Sequence, residues 1–241
     1  MRGLSRRRIR AIVRKELRLY RRNGSIIAAM AIIPLLFLVQ PLVSILTASS
    51  SSAAQIRDHH ELVYLLGIPA LVPVMLAAYA VVGERQEGTL EPVLTTPIRR
   101  EELLLGKALA VLAPSVAIAY AVFGVFLALV ALFAHPGVPS ALIRPPDVLV
   151  QVIFTPLIAA WSIWIGIAIS TRASDVRVAQ QLSVLASLPT LAVTTLIAFD
   201  VIHATLGLAV VLGATLLLVN RLGWRLVSAL FDRERLIASI R

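Results

Sequence analysis

Cysteine is absent from the 241 residues, which excludes a disulfide framework, a zinc-thiolate site and a cysteine nucleophile. Charge is scarce as well: 15% of the residues are Asp, Glu, Lys or Arg, against about 25% in an average soluble domain. What fills the space is apolar, with 59% hydrophobic residues and a mean hydropathy of +0.88. That balance excludes a disordered chain and an ordinary soluble globule, and it points to several membrane crossings. Catalytic signatures are missing too. No G-x-S-x-G nucleophile elbow occurs. A phosphate-cradling loop needs G-x-x-x-x-G-K-[ST]. The only Gly-Lys pair, Gly106-Lys107, has Glu101 five residues before it and Ala108 after it. This chain is therefore expected to hydrolyse no nucleotide itself, and Lys107 is expected to snorkel to a membrane surface. The histidines (His59, His60, His135 and His203) offer no i, i+4 pair for a metal, and His59-His60-Glu61 reads as a surface loop.

About 20 apolar residues cross a hydrocarbon layer of about 30 Å at 1.5 Å per residue. Six stretches reach or approach that length: 25–47, 62–83, 108–133, 149–170, 182–199 and 204–219. The last two share a tight turn, Asp200–His203, so a re-entrant hairpin is the rival reading for that pair. Lys and Arg are sorted between alternate loops. The segments 1–24, 84–107, 171–181 and the tail from Asn220 hold 21 of the 23, and the intervening loops hold only Arg57 and Arg144. Positive residues favour the cytoplasmic side, so both termini are expected there, which requires an even number of spans. The net charge of +10 is thereby explained by topology and by anionic lipid head groups, with no nucleic-acid partner expected.

None of the six stretches contains Asp, Glu, Lys, Arg or His. Ionisable groups inside a membrane usually mark ion paths or proton relays, so an ion-driven carrier is disfavoured. Proline recurs instead, at Pro34, Pro41, Pro69, Pro73, Pro114, Pro156 and Pro189. Each removes a backbone donor, and the resulting kinks predict cavities between helices, above all in the first two spans.

The remaining information sits in the segments between spans. Residues 1–24 are a basic amphipathic helix suited to the membrane interface, with Ile9, Ile12, Val13, Leu17 and Tyr20 on one side and Arg14, Lys15 and Arg18 among the residues filling the rest. A second amphipathic, interfacial segment is expected at 222–241. Between spans two and three the chain reads GERQEGTLEPVLTTPIRREELLLGK, Gly83 to Lys107. Gly88 breaks the helix, Thr89 can cap a new one starting at Leu90, Pro92 is tolerated in its first turn and Pro97 ends it. A short helix projecting toward a partner follows from that punctuation.

The run Glu84-Arg85-Gln86-Glu87-Gly88-Thr89-Leu90-Glu91, followed by Leu94, Pro97 and Gly106-Lys107, resembles the signature of ABC-2 type transporter permeases. Lys15-Glu16-Leu17 before span one and the LFDRER string of the tail fit the same layout. The resemblance implies one half of a six-plus-six-helix pore, formed as a homodimer or with a second permease. It also implies separate ABC ATPase subunits that carry ATP and magnesium, with no cofactor or metal in this chain. Within 84–102 the coupling contacts would fall on Glu84, Arg85, Glu87, Gly88, Thr89, Leu90, Glu91 and Pro97. The N-terminal helix, through Arg14, Lys15, Glu16 and Tyr20, would share in transmitting motion. Only about four residues separate spans five and six, where many relatives carry re-entrant or external elements.

The expected fold is therefore an all-α integral membrane protein: six transmembrane helices within 25–221, both termini cytoplasmic, and amphipathic helices at both ends. The expected function is the permease subunit of an ATP-driven exporter in the cell membrane, surrounded by lipid. Its uncharged spans suit a hydrophobic or amphipathic substrate. Two rivals stand beside it: a permease for haem, cytochrome or metal-centre maturation, and a non-transport anchor or assembly factor.

Overall fold

A computed structural model describes residues 5–47, 60–88 and 98–230. Among these the chain is helical throughout. The elements are α1 (Arg6–Tyr20), α2 (Gly24–Thr47), α3 (Glu61–Tyr64), α4 (Gly67–Gln86), α5 (Arg100–Phe133), α6 (Val138–Leu142), α7 (Pro145–Ser170), α8 (Val176–Ala198) and α9 (Leu206–Leu230). Among the described residues, six stretches are long and apolar enough to cross a membrane: one each in α2, α5, α7, α8 and α9, and one made of α3 and α4 together.

The helices run past the ends of the apolar stretches. α5 begins at Arg100, α7 at Pro145 and α8 at Val176. Charged residues end a hydropathy run without ending a helix when their side chains find partners. Prolines mark some of these starts: Pro145 and Pro146 open α7, and Pro69 sits in the first turn of α4, where an amide donor is not needed. At the other extreme, α9 carries on to Leu230, so residues 222–230 continue the sixth span before any separate tail segment, and 231–241 lie outside the described residues. Spans five and six are two helices of 23 and 25 residues rather than a short hairpin. Asp200 turns the chain between them at φ 55° and accepts from its neighbour His203.

α4 is the axis of the bundle. It packs against α7, α8, α5 and α2, and 83% of its span is buried, against 6% for α9. The main core joins Leu65, Ile68 and Leu76 of the second span to Leu104 and Phe126 of α5 and Ile163 of α7. α9 hangs on α7 alone for most of its contact. Asn220 secures it, donating to Leu157 O of α7 at 3.0 Å and accepting from Trp164 Nε1 at 3.1 Å. Trp164 and Trp224 meet edge to face beside it, with centroids 5.6 Å apart. The long apolar faces of α2 and α9, including Leu35, Leu36, Leu217 and Leu218, point outward. That is the expected surface of a helix bundle solvated by hydrocarbon.

Candidate functional site

α1 buries one stripe. Ile12, Glu16 and Tyr20 recur every four residues and therefore share a face, which is turned inward, while Arg14 is exposed. That stripe lies on the first turns of α5. The approach is close because position 106 is glycine: a Cβ there would stand 2.7 Å from Ile12 Cγ2. The next residue, Lys107, is fully buried. Its Nζ donates to Glu16 Oε1 at 2.9 Å and to Ala80 O at 2.7 Å, and it pairs with Glu84 Oε2 at 2.8 Å. An ammonium has three donors, and here three acceptors receive them. Glu84 Oε1 in turn meets Lys15 Nζ at 2.5 Å. Lys15, Glu84, Lys107 and Glu16 thus alternate in sign along one chain of contacts. Two positive and two negative charges cancel, which is the condition under which buried charges are tolerated. Tyr20 closes the group. Burial, reinforced by the nearby carboxylates of Glu16 and Glu84, holds its phenol pKa well above the usual value, so the hydroxyl stays neutral.

The expectation that Lys107 snorkels outward is corrected by this arrangement. A snorkelling lysine needs water within reach of its stem, and at 107 α1 covers the way out. Glu84 and Lys107 also qualify the absence of ionisable residues from the spans: both stand on the spanning helices, at the end nearest α1.

A second carboxylate fastens α1 at its start. Glu102 is fully buried. It accepts from the Ser5 amide at 2.8 Å and from the Arg99 amide at 3.2 Å, and it pairs with Arg8 at 3.3 Å. Ser5 and Arg99 are the N-cap residues of α1 and α5. One side chain therefore satisfies amides at the starts of two helices, where the helix dipole also favours negative charge.

The end of α4 leads out of this cluster. Arg85 spans to the connection after α7, its guanidinium donating to Thr171 O at 3.2 Å and Ala173 O at 3.3 Å. Ser170 Oγ accepts from the amides of Val81 and Val82, each at 3.0 Å, so the last turns of α4 are held from the α7 side as well as by Lys107. Glu87 accepts from the Tyr79 hydroxyl. Gly88 then stops the helix with φ 67° while its amide bonds Arg85 O at 3.2 Å. Left-handed φ at such a position is the usual reason for glycine there. Thr89, Leu90, Glu91 and Pro97 lie outside the described residues.

Of the residues picked from the sequence, Lys15, Glu16, Tyr20 and Glu84 are thus brought together, Arg85, Glu87 and Gly88 follow directly after, and Arg14 stands apart. Sequence reasoning does not single out Glu102 and Ser170, and it reads Lys107, part of the motif, as snorkelling. A signal for Lys107 existed. Glu16 sits four residues from both Ile12 and Tyr20, an acid in the middle of an apolar face, and such an acid needs a buried cation.

At the opposite end of the bundle a smaller cluster forms. His60 Nδ1 stands 3.1 Å from Asp147 Oδ1, and Arg144 Nε donates to Asp147 Oδ2 at 2.8 Å. It links the start of the second span to the start of α7, and His60 is accordingly part of a tertiary contact rather than of a free surface loop. Among the described residues no group of three His, Cys, Asp or Glu is placed to hold a metal ion.

No curated protein matches the sequence. A protein family does: the description "ABC-2 family transporter protein" matches residues 10–227, from the first turns of α1 almost to the end of α9. The match takes in the Lys107 cluster, the Glu84–Gly88 exit and all six spanning helices, and the chain belongs to the ABC-2 family of transporter proteins.

Proposed function

We propose that this membrane subunit of an ABC transporter exports a hydrophobic or amphipathic substrate, and that 84–97 is where the motion of its ATPase partner enters the bundle. The family makes the chain a multi-pass membrane subunit that works with a separate ABC ATPase. The proposal adds the direction, the substrate class and the residues. ATP and magnesium belong to the partner. Both termini face the cytoplasm in the cell membrane, α1 lies at its inner surface against lipid, and two permease chains flank the transport path.

The observation that carries the coupling assignment is the contact of Lys107 with Glu16, Glu84 and the Ala80 carbonyl. The segment 89–97 is joined to α4 within five residues of Glu84 and to α5 within ten of Lys107. A displacement of that segment therefore reaches α1, α4 and α5 through one buried cluster, as a packed core moves together rather than deforming gradually. The substrate class is supported by the uncharged middles of the spans. A carrier of charged cargo would need ionisable partners there.

The test is a gentle co-purification of the tagged chain, with vanadate-sensitive ATP hydrolysis as the readout. A P-loop partner is expected to come with it, and Glu91→Lys is expected to abolish substrate-stimulated hydrolysis while membrane insertion is unchanged. Normal stimulation in a well-inserted Glu91→Lys protein would overturn the coupling assignment.

A further inference from the structure

A cavity of about 290 Å³ lies between α7, α8 and α9. It sits apart from the Lys107 cluster, and its wall is hydrocarbon, with Phe154 and Ile158 of α7, Val193 of α8 and Leu212 of α9 as the main surfaces. Three of its four threonines have hydroxyls bonded within their own segments. Thr194 donates to Thr190 O and Leu191 O, Thr215 donates to Val211 O, and Thr205 accepts from the Leu208 amide. The interior is thus mostly apolar.

Two features say what the occupant is. The first is the mouth. Pro189 of α8 and Thr215 of α9 line the cavity and are exposed, and both fall near the middle of their helices. At mid-span depth the surrounding medium is the hydrocarbon of the bilayer, so what enters sideways is an acyl chain. The second is the far end. There His60 and Asp147 line the cavity, with Arg144 bound to Asp147. Those residues stand at the starts of α3 and α7, the level of lipid head groups. A cavity of about 150 Å³ in a protein core stays dry and holds benzene. This one has room for roughly twice that, a length of hydrocarbon chain rather than a water cluster.

We propose that the cavity holds one acyl chain of a membrane phospholipid, whose head group is received at Arg144 and His60. The inference rests on the fold alone and stands whether or not the transport reading does. The occupant is a resident lipid and not the transported substrate.

The experiment uses the complex with its ATPase partner, reconstituted with phosphatidylglycerol carrying a photoreactive diazirine in one chain. Cross-links are mapped by mass spectrometry. They are expected to concentrate between Phe154 and Trp161 and between Leu208 and Leu216. Ala209→Phe, which fills the cavity, is expected to lower that labelling about tenfold, equivalent to about 1.4 kcal/mol of binding, with labelling of the exposed face of α2 unchanged. Thr215→Trp on the rim closes the same mouth and serves if Ala209→Phe does not insert. Arg144→Ala is expected to weaken labelling by the phospholipid and leave a headless photoreactive alkane unaffected. Labelling spread evenly over the outward faces, or unchanged by both blocking variants, would overturn the proposal. Loss of label in step with ATP turnover would overturn it differently, by identifying the occupant as cargo.

Discussion

At one end of the bundle Lys107 and Glu84 keep 0% and 4% of their side-chain surface exposed. At the other, His60 and Asp147 keep 17% and 11%, and Arg144 keeps 31%. Both clusters tie the second span to another spanning helix, α5 in the first case and α7 in the second. They differ in what surrounds the charge. Lys107 is enclosed by α1, α4 and α5, so its attraction to two carboxylates is weakly screened, and so is the penalty if a partner is lost. The opposite cluster borders a cavity and the end of the bundle, where solvent can screen its pairs. The first arrangement fixes a geometry that cannot give way in part. The second holds a contact that can yield without unfolding its neighbours. If motion enters at 84–97, as proposed, that asymmetry places the rigid cluster at the end that receives it.

The sharpest way to break the comparison is Lys107→Met. It leaves Glu16 and Glu84 facing each other with only Lys15 to compensate, and breaking a buried pair from one side costs about 3–5 kcal/mol. A large fall in the melting temperature of the detergent-solubilised protein is expected. Adding Glu84→Gln to that variant should recover part of the loss, because the two residues share one network and their effects do not add. Full additivity would show that the cluster is not a unit.

Glu102→Ala ranks second. It removes the shared acceptor of two helix starts and the partner of Arg8, a loss of about 1–3 kcal/mol. Because α1 is held at its start by this residue, tryptic cleavage between Arg6 and Arg10 should accelerate while cleavage elsewhere does not. Equal acceleration at all sites would mean general unfolding instead.

Asp147→Asn is the mildest and completes the contrast. The pairs with Arg144 and His60 are partly screened, so the expected loss is at most about 1 kcal/mol, shrinking as salt is raised. A salt-independent loss as large as that of Lys107→Met would erase the difference between the two ends.

Much of the architecture was legible because bilayer thickness constrains sequence directly. Six apolar stretches, the alternating Lys and Arg of the loops and the punctuation at Gly88 follow from hydrocarbon thickness, surface charge and backbone geometry, and each can be read residue by residue. The cavity was harder to place. Proline kinks pointed to the first two spans; one cavity does border the first, at Ile27, Met30 and Ala31, but another, between α7, α8 and α9, borders Pro189 of the fifth. A kink bends one helix, and only the neighbours decide whether a gap remains.

What the sequence determined by itself is the class of solvent, the number of crossings and the family motif at 84–107, since composition and local spacing carry these. The tertiary structure alone decided that Lys107 is buried, that Glu16 and Glu84 are its partners, that Glu102 serves two helix starts and that Asn220 pins α9 to α7. Apart from the local Glu102–Arg99 contact, they join residues 23 to 97 positions apart. Whether a charge snorkels or is enclosed depends on which helix lies over it, and no local pattern contains that answer.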